Sequence, residues 1–318
     1  SALTVLNSET GEVVFSKNGE IGLAPASTLK TITSVTAFNI LGKDFRWETT
    51  LGHNGTIENG ILKGDLILRG SGDPSLGSSR YSQSKPELLF EKWICAVKSS
   101  GIKKIEGNVI VDDSLFGTQS LPLGWIWQDI GNYYGAGAIS ASWRENEFGL
   151  VFKAGTKPGD PAHLMGVEPE IANVKIVNEV VTGNAGSGDN VYAFSSPYSN
   201  VIYVRGTYGL DLKKMIMASM PDPALVLASE LKSKLLQSGI PSTSATTARI
   251  LIAEGKNFAV ASSILNSYES PSLAQVVYWL NQKSLNLYAE NILKTLAVKF
   301  GQKNGFEDGV AVIQDYWA

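Results

Sequence analysis

Ala24-Pro25-Ala26-Ser27-Thr28-Leu29-Lys30, continued by Thr31-Ile32-Thr33-Ser34-Val35-Thr36-Ala37-Phe38-Asn39-Ile40-Leu41-Gly42, is the stretch on which the reading of this sequence turns. Its apolar residues Leu29, Ile32, Val35 or Thr36, Ala37 and Ile40 recur at helical spacing, with Pro25 before them and Gly42 after. The pattern predicts a helix that begins close to Ser27. Ser27 and Lys30 lie one turn apart, hence on one face, where the lysine amine can approach the serine hydroxyl. In a closed pocket desolvation lowers a lysine pKa, and the neutral amine can then take the serine proton. The helix N-terminus adds partial positive charge and a free N–H where a tetrahedral oxyanion would form. S-x-x-K alone also fits an ordinary helix start, so it needs a second element.

That element is Lys283-Ser284-Leu285-Asn286, an S-x-N between two apolar helical stretches. Ser284 can relay a proton to a leaving group, while Asn286 can hold a substrate backbone and Lys30. A Ser and an Asn capping a helix that starts near Leu287 would look the same in isolation. Together, S-x-x-K and S-x-N belong to the set of motifs by which serine acyl-transfer enzymes recognise penicillin.

Outward from these motifs, Ala2 to Leu6, the turn Asn7-Ser8-Glu9-Thr10-Gly11 and Glu12 to Phe15 read as a β-hairpin. From Trp47 to about Ser262 the texture becomes short β-like runs between Gly, Asn, Asp and Pro, such as Asp65 to Arg69, Gly107 to Val111, Gly149 to Phe152, Val174 to Val177 and Val201 to Val204. Helical patterns at Glu87 to Ser100 and Ala224 to Gly239 interrupt them, and helix returns from Ser272. The expected fold class is α/β (α+β): one domain from residues 1–46 plus 263–318, with a β-rich region, 47–262, inserted in it. That region is expected to form two domains, one of them nested at roughly 75–145.

Composition removes several functions. The chain of 318 residues carries 27 Lys+Arg among 30 Asp+Glu, which leaves no basic face for nucleic acid. No apolar run reaches the length of a membrane span. His53 and His163 are the two histidines; both sit in polar, turn-like settings and are expected to be solvated, which argues against a zinc site and a Ser-His-Asp triad. Cys95, the single cysteine, is expected to be a small buried hydrophobe. Gly70-Ser71-Gly72-Asp73-Pro74 lacks the Gly-Lys-Ser/Thr of a phosphate loop and reads as a turn. Nothing in the sequence requires a metal or an organic cofactor. No basic and apolar leader follows Ser1, so an export signal is expected to have been removed or left out.

The chain resembles the class C low-molecular-mass penicillin-binding proteins, the penicillin-binding protein 4 group of D-Ala-D-Ala carboxypeptidases and endopeptidases. The likeness runs through both motifs and through Leu62 to Leu76, with its distinctive Gly72-Asp73-Pro74, and Gly107 to Asp113. It continues in Gly124-Trp125-Ile126-Trp127-Gln128-Asp129, Tyr134-Gly135-Ala136 and Asn286-Leu287-Tyr288-Ala289-Glu290. The resemblance implies a β-lactamase-like transpeptidase domain with two inserted β-rich domains. It also implies Ser27 as acylated nucleophile, with Lys30, Ser284 and Asn286 as its catalytic partners. Implied partners are peptidoglycan stem peptides and, as covalent inhibitors, β-lactams; the implied location is periplasmic or otherwise extracytoplasmic. Asp129, with Trp127, resembles the position that receives the cationic end of the third stem-peptide residue, though a turn or capping Asp reads equally well. Glu290, Asn291 and Lys294 are expected to be structural or solvated. No K-T-G, K-S-G or H-T-G follows Asn286, so the remainder of the transpeptidase-like domain is expected beyond Ala318. A non-catalytic peptidoglycan-binding module is the alternative on the same fold, whereas a β-lactamase fails on the long insertion and on the lack of a deacylating Glu loop.

Overall fold

A computed structural model describes residues 1–171, 174–301 and 303–318. β1 (Leu3–Leu6) and β2 (Val13–Lys17) form the expected antiparallel hairpin, with Val5 opposite Phe15. Asn7 shapes the turn: its Oδ1 accepts from the N–H groups of Glu9 and Thr10, and Gly11 follows at φ +75°. A 3-10 turn, Ala26–Thr28, then leads into α1 (Leu29–Leu41), which Gly42 ends at φ +86°.

The burial of α1 runs against its periodicity. Leu29, Ile32 and Val35 are exposed, while Ser34, Thr36 and Ala37 are buried. Ser34 Oγ and Thr36 Oγ1 donate to the carbonyls of Lys30 and Ile32 one turn back, so the small polar face satisfies itself and packs closely on other helices.

The middle of the chain runs through β3 (Glu48–His53), β4 (Thr56–Glu58), β5 (Ile61–Lys63), β6 (Leu66–Arg69), α2 (Pro86–Ser99), β7 (Lys104–Ile105), β8 (Val109–Asp112) and α3 (Trp127–Ile130). It goes on through β9 (Glu147–Lys153), β10 (His163–Glu168), β11 (Lys175–Gly183), β12 (Asp189–Phe194), β13 (Val201–Gly209) and β14 (Ile216–Ser219). Then come α4 (Pro223–Gln237), β15 (Ala245–Thr247), α5 (Ala248–Ala253) and β16 (Ser263–Glu269). Three helices close the chain: α6 (Leu273–Lys283), α7 (Asn286–Phe300) and α8 (Phe306–Trp317). Among the described residues no helix is long and apolar enough to cross a membrane.

Strand pairing divides this region elsewhere than the sequence suggested. A five-stranded sheet has the order β15-β8-β6-β3-β16. Because β16 pairs with β3, residues 263–269 go with the inserted region and the helical part resumes at Leu273. Residues 75–145, expected as a nested unit, supply α2 and β8, and β8 lies in this first sheet between β6 and β15. The second unit comes from strands after Glu147, as the sheets β10-β9-β14 and β11-β13-β12.

Two expectations for single residues also fail. Cys95 is exposed: α2 buries Leu89, Phe90, Trp93 and Val97, and a residue two positions past Trp93 faces away from that stripe. His53 is buried at the end of β3, an interior strand of the sheet between β6 and β16. His163, by contrast, is exposed as expected.

α7 is fixed by polar contacts that reach it from loops of the inserted region. Asn291 is fully buried, and its Nδ2 donates to the carbonyls of Gly72 and Ile139 and to Ser142 Oγ. Lys294, equally buried, donates to the carbonyls of Phe116 and Gln119. Trp47 Nε1 donates to Thr295 Oγ1. Gly72 is at φ +95°, and a Cβ there would stand 2.4 Å from the Phe116 ring, so the Gly-Asp-Pro turn tolerates no side chain at its first position. Removing the Asn291 amide takes away the donor to the buried Gly72 carbonyl and one of the two donors to Ile139 O, which keeps Ser142 Oγ. Asn291→Ala is therefore expected to destabilise the fold by about 2–4 kcal/mol, read as a lower denaturant midpoint. An unchanged midpoint would show that the clamp on α7 contributes nothing.

Candidate active site

Ser27 sits in the 3-10 turn that leads into α1, after Ala26 at φ +47°, a left-handed conformation uncommon for alanine. Thr28 holds the turn from its other side, its Oγ1 donating to Pro25 O at 2.5 Å. One turn on, Lys30 Nζ lies 3.0 Å from Ser27 Oγ, 3.0 Å from Ser284 Oγ and 3.0 Å from Ser284 O. These three acceptors match the three donors of an ammonium. Once the amine is neutral, the same separation lets it accept the Ser27 proton. Burial lowers the Lys30 pKa, and the negative charge of Glu290 opposes that shift.

Ser284 reaches Lys30 because of how α6 ends. Its N-terminus is fixed by a capping box between Ser272 and Gln275. At its other end Ser284 takes the left-handed conformation, φ 55° and ψ 42°, and Leu285 N–H closes the turn on Leu280 O. This reversal puts both the hydroxyl and the carbonyl of Ser284 beside Lys30. Asn286 opens α7, but its Nδ2 donates to Tyr134 O at 2.8 Å. The contact with Lys30 expected of Asn286 thus belongs to the main chain of Ser284.

Two cavities meet at Ser27 and Asn286. One, of about 630 Å³, is bounded by Ser27, Lys30, Trp125, Asn286 and Glu290, with apolar walls from Leu29, Ile32 and Val310. The exposed stripe of α1 therefore serves as a wall of the cleft. The other, of about 330 Å³, runs from Ser27, Ser284 and Asn286 to Tyr133, Tyr134 and Glu147. Four residues expected to act together, Ser27, Lys30, Ser284 and Asn286, are brought together. Trp127 and Asp129 stand on α3 outside both linings, where Trp127 is exposed and packs near Phe194 at 6.4 Å between ring centroids. The cleft wall is Trp125 instead.

Glu290 and Tyr134 were not singled out for the site by their sequence. Glu290 lies four residues after Asn286 on α7, and that helical spacing is the signal that would have put it on the same face. Glu145 ties the α7 side of the site to the inserted region by accepting from Tyr288 OH, Ser78 Oγ and Arg80 Nε at 2.6, 2.6 and 2.8 Å.

A family model described as the D-Ala-D-Ala carboxypeptidase 3 (S13) family matches residues 1–316. The D-alanyl-D-alanine carboxypeptidase DacB of Haemophilus influenzae is 34% identical over 154 residues, which are 48% of this chain and 30% of that protein. A D-alanyl-D-alanine carboxypeptidase of Actinomadura sp. (strain R39) is 24% identical over 328 residues, covering 99% of this chain and 57% of the relative. The crystal structure of penicillin binding protein 4 from Haemophilus influenzae is similar with a TM-score of 0.80 at 23% identity, over 99% of this chain and 66% of that one. At that identity the likeness is one of fold. The chain spans less than two thirds of the length of each of these relatives.

The acidic end of the smaller cavity gives the protein a pH-dependent stability. Burial, reinforced by repulsion from Glu145 and opposed by Arg80, pushes Glu147 up to about 8. The unfolded chain gives up this proton near pH ~4.3, so between about pH 4 and 8 the folded state binds more protons and stability falls as pH rises. Glu147→Gln removes the buried charge. It is expected to be more stable than the parent by about 1–3 kcal/mol at pH ~9 and equal to it near pH ~4, measured by urea unfolding. The same difference at both pH values would contradict this ionisation.

Proposed function

The chain belongs to the D-Ala-D-Ala carboxypeptidase 3 (S13) family, and we propose that it carries the nucleophile, base and proton relay of a serine acyl-transfer enzyme that cleaves peptides ending in D-Ala-D-Ala. The observation that supports this reading is a single lysine amine 3.0 Å from two serine hydroxyls, Ser27 and Ser284, with Ser27 and Lys30 lining an open cleft. Lys30 takes the proton of Ser27 as Oγ attacks the carbonyl carbon of the scissile bond. Charge on the resulting oxyanion falls beside the N–H groups that begin the helix, a favourable position for an anion. Ser284 passes the proton from Lys30 to the departing amine. A water then attacks the Ser27 ester, its proton following the same path in reverse.

In this reading Asn286, which borders both cavities, holds the substrate backbone. Asp129 with Trp127 is our candidate for the cationic end of the third stem-peptide residue, reached past Trp125 at the edge of the cleft. Residues 1–46 with the three closing helices form the catalytic unit, and the β-rich region is its insertion. The substrates are peptidoglycan stem peptides and cross-links, and the compartment is the periplasm or another extracytoplasmic space.

β-Lactams present a strained carbonyl to the same nucleophile. Incubation with benzylpenicillin is expected to add one penicilloyl group, mapped to the peptide that contains Ser27, and Ser27→Ala is expected to add none. Lys30→Ala is expected to slow acylation by about 10²- to 10⁴-fold with its fold intact. Residues 1–318 contain no K-T-G to supply a second oxyanion donor. In that chain the informative readout is accordingly the position of the adduct after long incubation, since one lost donor costs roughly 100- to 1000-fold in rate. A stable penicilloyl mass on Ser27→Ala would overturn the assignment.

A further inference from the structure

Across the larger cavity from Lys30 stands Glu290, on the first turns of α7, four residues after Asn286 and bordering the same space as Ser27. Lys30 spends its three donor positions on Ser27 and Ser284. Any effect of Glu290 on it therefore passes through the field inside the cavity and not through a direct bond. Fields act strongly there, because a partly buried cleft screens charges far less than open water.

We propose that Glu290 is a positioning residue for the reaction, its carboxylate stabilising the ammonium that forms on Lys30 when that amine takes the Ser27 proton. The proposal rests on the acyl-transfer reading above and adds a group to it. In the step concerned, a proton leaves Ser27 Oγ for Lys30 Nζ, Oγ forms a bond to the carbonyl carbon, and the carbonyl π pair becomes the oxyanion. A cation appears where there was none, and Glu290 is the anion already facing it.

The surrounding charges fit this arrangement. Glu290 acts on Lys30 from α7 and holds its proton more tightly than burial alone would allow. Burial pushes Glu290 itself up to about 7, against the pull of Lys294 and Lys30, so the carboxylate is ionised in the alkaline range where a neutral Lys30 is needed. Lys294, the other cation facing Glu290, is bound to the carbonyls of Phe116 and Gln119 and faces Glu307 of α8. Lys294 is thereby committed to the structure, whereas Lys30 gains and loses its charge in the reaction. Gln314, which borders the cavity from α8, is neutral.

The test follows the Lys30 proton directly. In protein labelled with 13C at lysine Cε, the Lys30 resonance, assigned by its loss in Lys30→Arg, is titrated in parent, Glu290→Gln and Glu290→Asp proteins. Glu290→Gln is expected to lower the Lys30 midpoint by about 0.5–1 pH unit, to move the acidic limb of the acylation profile the same way, and to reduce the plateau rate by up to about tenfold. Glu290→Asp keeps the charge and is expected to restore both midpoint and plateau. A Lys30 midpoint that stays put or rises in Glu290→Gln overturns the proposal, as does a loss of rate that Glu290→Asp fails to restore. A midpoint that falls in a protein whose parent forms no penicilloyl adduct supports the pairing of Glu290 with Lys30 and overturns the acyl-transfer reading instead.

Discussion

One side chain joins two segments that are 254 residues apart: the amine of Lys30, held by Ser27 in the 3-10 turn before its helix and by the hydroxyl and carbonyl of Ser284. All three contacts are 3.0 Å long, so a small displacement of either α1 or the α6–α7 junction would break at least one. Much of the remaining architecture serves to fix that junction. α7 is pinned by Asn291, Lys294 and Thr295, each tied to a part of the chain far away in sequence. The β-rich middle of the chain is therefore coupled to α7 through the turn at Gly72 and the loop that ends at Asn146.

Backbone strain marks some of the same places. Ala26, next to Ser27, and Ser284 are both left-handed without being glycine. Arg144, Glu145 and Asn146 are three such residues in succession, and Glu145 is the acceptor for Tyr288 on α7. Each costs of order 1 kcal/mol and persists only where neighbours over-determine it. Here the neighbours are identifiable. Asn146 Oδ1 accepts from Trp143 N–H, and Trp143 packs against Phe90 in the core beneath α2.

The local placement of Ser27, Lys30, Ser284 and Asn286 was legible in the sequence. S-x-x-K on a helix start and S-x-N between two helices are short-range patterns, and spacing alone fixed which side chains share a face. What the sequence hid depends on tertiary cover. The stripe Leu29, Ile32 and Val35 has the right period for a helix, but periodicity does not say whether an apolar face meets a core or lines a cleft. His53 looked polar and turn-like, yet it is buried at the end of an interior strand. The subdivision of the insertion depended on which distant strands pair, and nothing in 75–145 reveals that β8 will sit between β6 and β15. Asn286 illustrates the limit within the site: its presence was expected, its partner was not, because Tyr134 O arrives from the inserted region.

The central claim is that a neutral Lys30 amine takes the proton from Ser27, and chemical rescue tests it most directly. In a folded Lys30→Ala protein, small primary amines supplied in solution should restore penicilloylation, with a rate that rises with amine concentration and depends on pH through the free base. Tetramethylammonium, which carries the charge without a lone pair, should restore nothing. Rescue by tetramethylammonium as effective as rescue by methylamine, or no rescue by any amine that fits the cleft, would contradict the account.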